Sequence, residues 1–396
     1  MRLEKIKKTY LVAAAALGVG AMICLPRFAS AAAQGPCSDC HTMHNSQNGA
    51  PMTYNGSTTP NDTLLRGNCI QCHTGTNDGS NTIPYVYSGT TAPTYGLTGN
   101  TLAGGNFYWT VNGGGSAGGG DPVSAGGGHD VDMLGAAFPT LTSPPGDSDA
   151  TSWSTRVAAQ TDMVSGYNLT CAGTAGCHGD RTQTNNFSAV HGAHHTDDSG
   201  GITGATVGLS FRFLKGVLGT EEDDAPSTTS HRWEYQPDST HHNEYKGADR
   251  SADSAVDTTT ISSLCAQCHG AFHNSAGTYT GVQGIQGSGA TMASPWIRHP
   301  TDYDMNNKGG TTEYAAYTVY DPMVPVGHST LNGTTSDSTA YGDAGGAIVM
   351  CISCHRAHGS PYADLLRWDY SLITVGTTGA GAGTGCFKCH STKDGV

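Results

Sequence analysis

The sequence predicts a chain of mostly irregular coil with short α-helices and little β-structure. Three observations predict it. Glycine supplies 56 of 396 residues while aromatic residues are 8% and charged residues 13%, so few large side chains offset the conformational entropy of so long a chain. Stretches rich in Gly, Thr, Ser and Asn, over 75–128, 274–294, 305–345 and 374–385, keep neither a 3.6-residue nor a 2-residue apolar period. A short cysteine–histidine motif recurs at irregular spacing, and it is the only internal repeat the sequence offers.

At the N-terminus, Arg2, Lys5, Lys7 and Lys8 precede a short apolar run from Leu11 to Ile23. Ala29-Ser30-Ala31 or Ala31-Ala32-Ala33 then offers a small-residue cleavage site. This reads as a secretory signal peptide over residues 1–33, because the run is too short to span a bilayer. A lipid anchor at Cys24 is disfavoured by the bulky Ile23 before it. Residues 34–396 read as one elongated domain without a transmembrane segment, secreted through the periplasm to an extracellular or cell-surface location.

Five copies of Cys-x-x-Cys-His follow: Cys37/Cys40/His41, Cys69/Cys72/His73, Cys265/Cys268/His269, Cys351/Cys354/His355 and Cys386/Cys389/His390. A sixth is stretched, with five residues between Cys171 and Cys177 before His178. This pattern attaches c-type haem: the thiols add across the vinyl groups and the histidine ligates the iron. Of 13 cysteines only Cys24 falls outside the motifs. A disulfide framework would not require His after every second Cys, and zinc sites would pair the motifs without that His. The chain therefore reads as wrapped around six stacked c-type haems, with the porphyrins as its core. Helices are expected over Thr259–His269, Ala347–His358 and Tyr362–Trp368, and a short strand or helix over Ser210–Val217.

Histidine count separates carrier from catalyst. Six of the 18 His are proximal, namely His41, His73, His178, His269, His355 and His390, and twelve remain. A second axial His closes an iron to substrate and leaves it electron transfer. The distal candidates are His44, His129, His194, His299, His328 and His358. His44 and His358 sit three residues after a proximal His, on the same helical face, and so reach a neighbouring haem rather than their own. His299 is held by Pro300, His328 follows Gly327, and His129 follows a glycine run that permits close backbone approach. His191 and His195 compete with His194 for the third haem, with His242 and His273 as alternates. His231 and His241, like His242, otherwise read as loop residues among polar neighbours. Met43, Met52, Met133, Met163, Met292, Met305, Met323 and Met350 read as packing.

Net charge is −13, and loss of Arg2, Lys5, Lys7, Lys8, Arg27 and Glu4 with the signal takes it to about −17. Nucleic acid is excluded as a partner by this sign. No glycine run has the strand–turn–helix setting of a nucleotide site. Other multihaem cytochromes and extracellular acceptors such as metal oxides fit better. The electron-conduit reading has one competitor, a multihaem reductase of a small oxyanion or nitrogen compound with at least one open haem.

The chain resembles the OmcS-type hexahaem cytochromes, secreted by metal-reducing bacteria and polymerised into extracellular conducting filaments. The likeness rests on Cys40-His41-Thr-Met-His44-Asn-Ser, Leu264-Cys-Ala-Gln-Cys-His269 with His273-Asn-Ser, and Ile297-Arg-His299-Pro. Cys351-Ile-Ser-Cys-His355-Arg-Ala-His358 and Cys386-Phe-Lys-Cys-His390 complete it. The resemblance implies bis-histidine haems in a continuous stack. It also implies a head-to-tail polymer of identical subunits, in which His44 ligates the neighbour's haem at Cys351, Cys354 and His355.

Overall fold

The structure is a computed structural model. It describes residues 33, 35–113, 128–129, 131–134, 169–220, 232–250, 257–269, 299–307, 312–331, 339–340, 345–373 and 385–391. Residues 1–32 with Cys24, and Met163, His231, His273 and Met292, lie outside the described residues. Within them the fold is mostly coil, with short helices and four two-stranded sheets. The longest α-helix described is Ile261–Ala266.

The helices follow from the motifs. Cys37–Cys40, Cys69–Cys72, Cys351–Cys354 and Cys386–Cys389 are single turns, and Cys265 lies within Ile261–Ala266. In each regular motif the histidine N–H donates to the first cysteine's carbonyl, at 2.8 Å for His41 and His73, 3.0 Å for His269, 3.1 Å for His355 and 2.9 Å for His390. That bond closes one α-turn and sets both thiols and the imidazole on one face. The opposite face carries the apolar residue between the cysteines: Ile70 and Ile352 are both buried in small hydrophobic clusters. Side chains cap two of these turns. Asn68 and Gln71 form a reciprocal capping box, and Thr260 Oγ1 accepts from Ser263 N at 3.1 Å.

The stretched motif takes another form. Thr170–Ala172 and Gly176–His178 pair as parallel strands, with Ala172 opposite His178. The loop between them turns at Gly173, whose φ is +84°, and a Cβ on Gly176 would lie 2.6 Å from backbone atoms of Ala172 and Thr170. Five intervening residues fit only because two are glycine.

Several expected helices are shorter or different. Ala347–His358 is helical only over Cys351–Cys354, because Ile348–Val349 pairs as a strand with Tyr303–Asp304. Tyr362–Trp368 and Ser210–Val217 contain tight turns at Ala363–Leu365 and Phe211–Phe213. These turns disclose a second internal repeat. Asp62–Leu65, Phe211–Leu214 and Ala363–Leu366 each close with an N–H to carbonyl bond, at 3.2, 2.8 and 3.1 Å. Each carries two left-handed central residues: Thr63 and Leu64, Arg212 and Phe213, Asp364 and Leu365. Positive φ at both centres is the signature of a type I′ turn. The sequence echo is Leu64-Leu65-Arg66, Phe213-Leu214-Lys215 and Leu365-Leu366-Arg367.

Apolar side chains gather in small separate clusters. One holds Phe211, Leu214, Val217, Tyr245, Leu264, Met350 and Ile352. Another holds Met305, Tyr317, Tyr320, Val326, Ala340, Ala347 and Val349, and a third Ile70, Phe107 and Val131. Each touches a cysteine motif. Met305 and Met350 are packing residues in these clusters, whereas Met43 is 81% exposed.

Candidate haem-binding site

The turns just described hold the proximal imidazoles. His41 Nδ1 contacts the Thr63 carbonyl at 3.1 Å, His178 Nδ1 that of Arg212 at 2.8 Å, and His355 Nδ1 that of Asp364 at 2.7 Å. In all three the acceptor is the first left-handed residue of the turn. His73 Nδ1 uses the Pro84 carbonyl at 2.8 Å, and His390 Nδ1 the Glu313 carboxylate. A carbonyl or carboxylate at Nδ1 assigns the proton there and leaves Nε2 as a bare lone pair, the state a metal requires. Burial also lowers the pKa of His73, His129 and His178, and takes His358 to about 3, with His178, His129 and His73 adding to the shift. These imidazoles are neutral at physiological pH, as ligation demands.

The second feature is a set of imidazole pairs. His41 faces His195 with ring centres 6.1 Å apart, His73 faces His194 at 6.5 Å, and His178 faces His358 at 6.1 Å. His269 faces His129 at 6.2 Å, and His390 faces His299 at 6.2 Å. Each pair joins one proximal histidine to one outside the cysteine–histidine junctions. A metal–imidazole bond is about 2 Å and the ring centre lies about 1 Å beyond the nitrogen, so two imidazoles across one ion stand about 6 Å apart. A true contact stack in this chain is far closer: His242 and Tyr320 lie 3.5 Å apart and nearly parallel. His129 and His299 also have Nδ1 held by carbonyls, of Ala357 at 2.6 Å and Pro300 at 2.9 Å. The donors thus fit haem: two thiols and an imidazole on one turn, and a second imidazole facing the first. All twelve described cysteines are outside disulfides.

His194 and His195 follow one another in the short turn Ala193–His195, yet face different motifs, His73 and His41. The third motif faces His358. His328 is buried, with its ring 6.5 Å from Tyr320. Gly327 beside it answers to packing, since a Cβ there would lie 2.8 Å from Met350 Sδ. His242 is buried against Tyr320 with Nδ1 on the Asn243 carbonyl at 2.9 Å, and His241 Nδ1 meets the Asp238 carboxylate at 3.2 Å. Among the described residues, no ring stands opposite His44 or His355 at the paired spacing.

The motifs adjoin one another in sequence order. Burial, then Cys40 and Cys69, pushes the Cys72 thiol up to about 11. The neighbouring Cys171 lowers the Cys69 thiol, and Cys351, burial and then Cys177 raise that of Cys265. Cys354 is pushed up to about 12 by burial and then by Cys386. The residues that sequence reasoning misses are the Nδ1 acceptors, since a backbone carbonyl leaves no mark in a sequence. The doubled Leu-Leu-Arg was the available signal. Arg356 is another: buried beside His355, it donates to the carbonyls of Leu102 at 2.6 Å and Ala103 at 3.1 Å and to the Tyr95 hydroxyl at 3.0 Å.

Over residues 344–395 the chain matches the family described as Doubled CXXCH motif. No curated protein matches it significantly. Among solved structures it is similar to the Outer Membrane Cytochrome S filament from Geobacter sulfurreducens, at 20% identity over 87% of this chain and 85% of that one, with a TM-score of 0.43. It is likewise similar to the OmcS nanowires from Geobacter sulfurreducens seen by cryo-EM, at 20% identity over 85% and 84%, with a TM-score of 0.43. No helix among the described residues is long and apolar enough to cross a membrane.

Proposed function

We propose that this chain is a secreted six-haem c-type cytochrome that conducts electrons outside the cell. The observation that carries this reading is the set of five proximal–distal imidazole pairs, each at the separation one intervening iron needs. Haem, when attached, supplies a one-electron iron couple. The chain's residues do the rest. Cys37 and Cys40, Cys69 and Cys72, Cys171 and Cys177, Cys265 and Cys268, Cys351 and Cys354, and Cys386 and Cys389 tether it. The paired imidazoles would hold its iron between them, and Nδ1 acceptors fix the tautomers of His41, His73, His178, His390, His129 and His299. The contiguous order of the motifs would let successive haems lie side by side.

The proposed axial sets are His41 with His195, His73 with His194, His178 with His358, His269 with His129, and His390 with His299. Distal candidates His44, His129, His194, His299 and His358 are kept, and His195 takes the place of His328. His355 is assigned to His44 of a neighbouring copy. Supporting this are the absence, among the described residues, of a ring opposite either histidine at the paired spacing, and exposed apolar side chains near each. Met43 is 81% exposed next to His44, while Tyr370 and Leu372 are 66% and 74% exposed a few residues beyond the His355 brace. Two different patches that join head to tail give an open polymer. Other multihaem cytochromes and metal oxides are the proposed electron partners.

His355 also favours a second reading, since an iron with one imidazole is what a reductase would use. One experiment separates the two. The carrier has an intact mass of six haems, only low-spin ferric resonance at low temperature, and no spectral response of the assembled protein to carbon monoxide or nitrite. A stable high-spin fraction that binds nitrite in assembled material sinks the carrier reading.

A further inference from the structure

Of the five proximal histidines whose Nδ1 acceptor is described above, four use a neutral backbone carbonyl. His390 uses the carboxylate of Glu313. We propose that Glu313 is a positioning residue that sets the sixth motif apart electronically, making His390 the most electron-donating of these five ligands. The inference rests on reading Cys386, Cys389 and His390 as a haem site.

The fold holds this contact from several sides. Ser391 donates to the Glu313 carbonyl through both its N–H and its hydroxyl, at 2.8 Å each, and Ala316 N donates to Ser391 Oγ at 3.2 Å. The backbone of residues 313–316 is thereby laced to residue 391, and the carboxylate has little freedom to leave the imidazole. The Tyr314 ring stands edge-on to His390 at 5.6 Å. Lys388, the cation inside the motif, is engaged by Asp321 at 2.9 Å, so it does not neutralise Glu313. Across the pair, His299 has only the neutral Pro300 carbonyl at its Nδ1.

A full negative charge at Nδ1–H draws that proton outward and raises the basicity of Nε2. A more basic axial nitrogen favours ferric over ferrous iron and lowers the reduction potential. The sixth haem would then be the low-potential end of the row, and the row would have a direction.

The test uses the full secreted holoprotein with Glu313→Gln and Glu313→Asp, read by intact mass, low-temperature resonance and spectroelectrochemical titration. The expected result is six low-spin haems in both variants. In Glu313→Gln the lowest-potential component moves upward and the g-spread of one low-spin signal changes, while Glu313→Asp restores most of both. A Gln variant with six low-spin haems and an unchanged titration overturns the tuning role and leaves the haem reading intact. So do equal shifts in Gln and Asp, or loss of the sixth haem or its low-spin state in Gln. If Cys386→Ala with Cys389→Ala still carries six haems, the underlying site reading falls instead.

Discussion

Position 104 has no room for a side chain. A Cβ on Gly104 would stand 2.9 Å from Nδ1 and 3.0 Å from Cε1 of His358. The Gly104 carbonyl meanwhile accepts from His358 N at 2.7 Å, and Phe107 stacks on the ring at 4.8 Å. The imidazole is flanked by Gly104 and Phe107, its backbone is pinned to residue 104, and it faces His178. Gly104→Ala is expected to leave six haems by mass but free one iron to bind carbon monoxide, with an overpacking cost of about 1–3 kcal/mol. A variant that keeps six low-spin haems and the parental unfolding midpoint would show that the ring has slack. At this scale the sequence marks the cysteines and proximal histidines plainly, because one helical turn defines them. It offers His129, His194, His299 and His358 as opposite imidazoles but does not say which motif each one faces, which depends on contacts between distant segments. His194 and His195 read as rivals for one iron, whereas their rings face two different motifs, at His73 and His41.

Among the elements, the left-handed turns are the least legible, although they recur three times. Their central residues are not glycine or asparagine, the usual occupants of such angles. Thr63, Arg212 and Asp364 accept that conformation in order to present a carbonyl to a proximal histidine. The sequence hides the device, since Asp-Thr-Leu-Leu resembles a helix start and Ala-Asp-Leu-Leu a helix interior. Thr63 is β-branched and exposed at φ 54°, so Thr63→Asn keeps the carbonyl and relieves strain. Expected is a gain of about 1 kcal/mol in denaturant unfolding with all six haems retained. No gain, or a loss, would mean that the bond from the Thr63 hydroxyl to the Asp62 carbonyl, at 2.7 Å, offsets the strain. The stretched motif teaches the complementary lesson: a longer Cys-to-Cys loop is met by a pair of short strands, not by a distorted helix.

For the whole molecule, composition, missing periodicity and the recurring motif foretold a coil-rich chain with short helices, and the described residues have that form; the small apolar clusters were not foretold. Its order along the row was not legible, because nothing local says that motif three adjoins motif two. Assembly is the question at this scale. If His44 completes the iron at His355 of the next copy, His44→Ala should keep six haems by mass, turn one high-spin, and shorten or abolish polymers seen by electron microscopy. Full-length polymers with six low-spin haems would return His44 to an ordinary surface role.

The pairing of His178 with His358 has a consequence for biogenesis. A secreted chain emerges from its N-terminus, and the earlier motifs meet the attachment machinery first. On the proposed ligand set, the third haem is tethered while its second imidazole is still inside the cell. Its iron stays open until the fifth motif has crossed, and the fourth and fifth haems are being attached in the same interval. The third haem thus waits for more of its own chain to be exported than any other in the set, although its motif lies in the middle of the sequence.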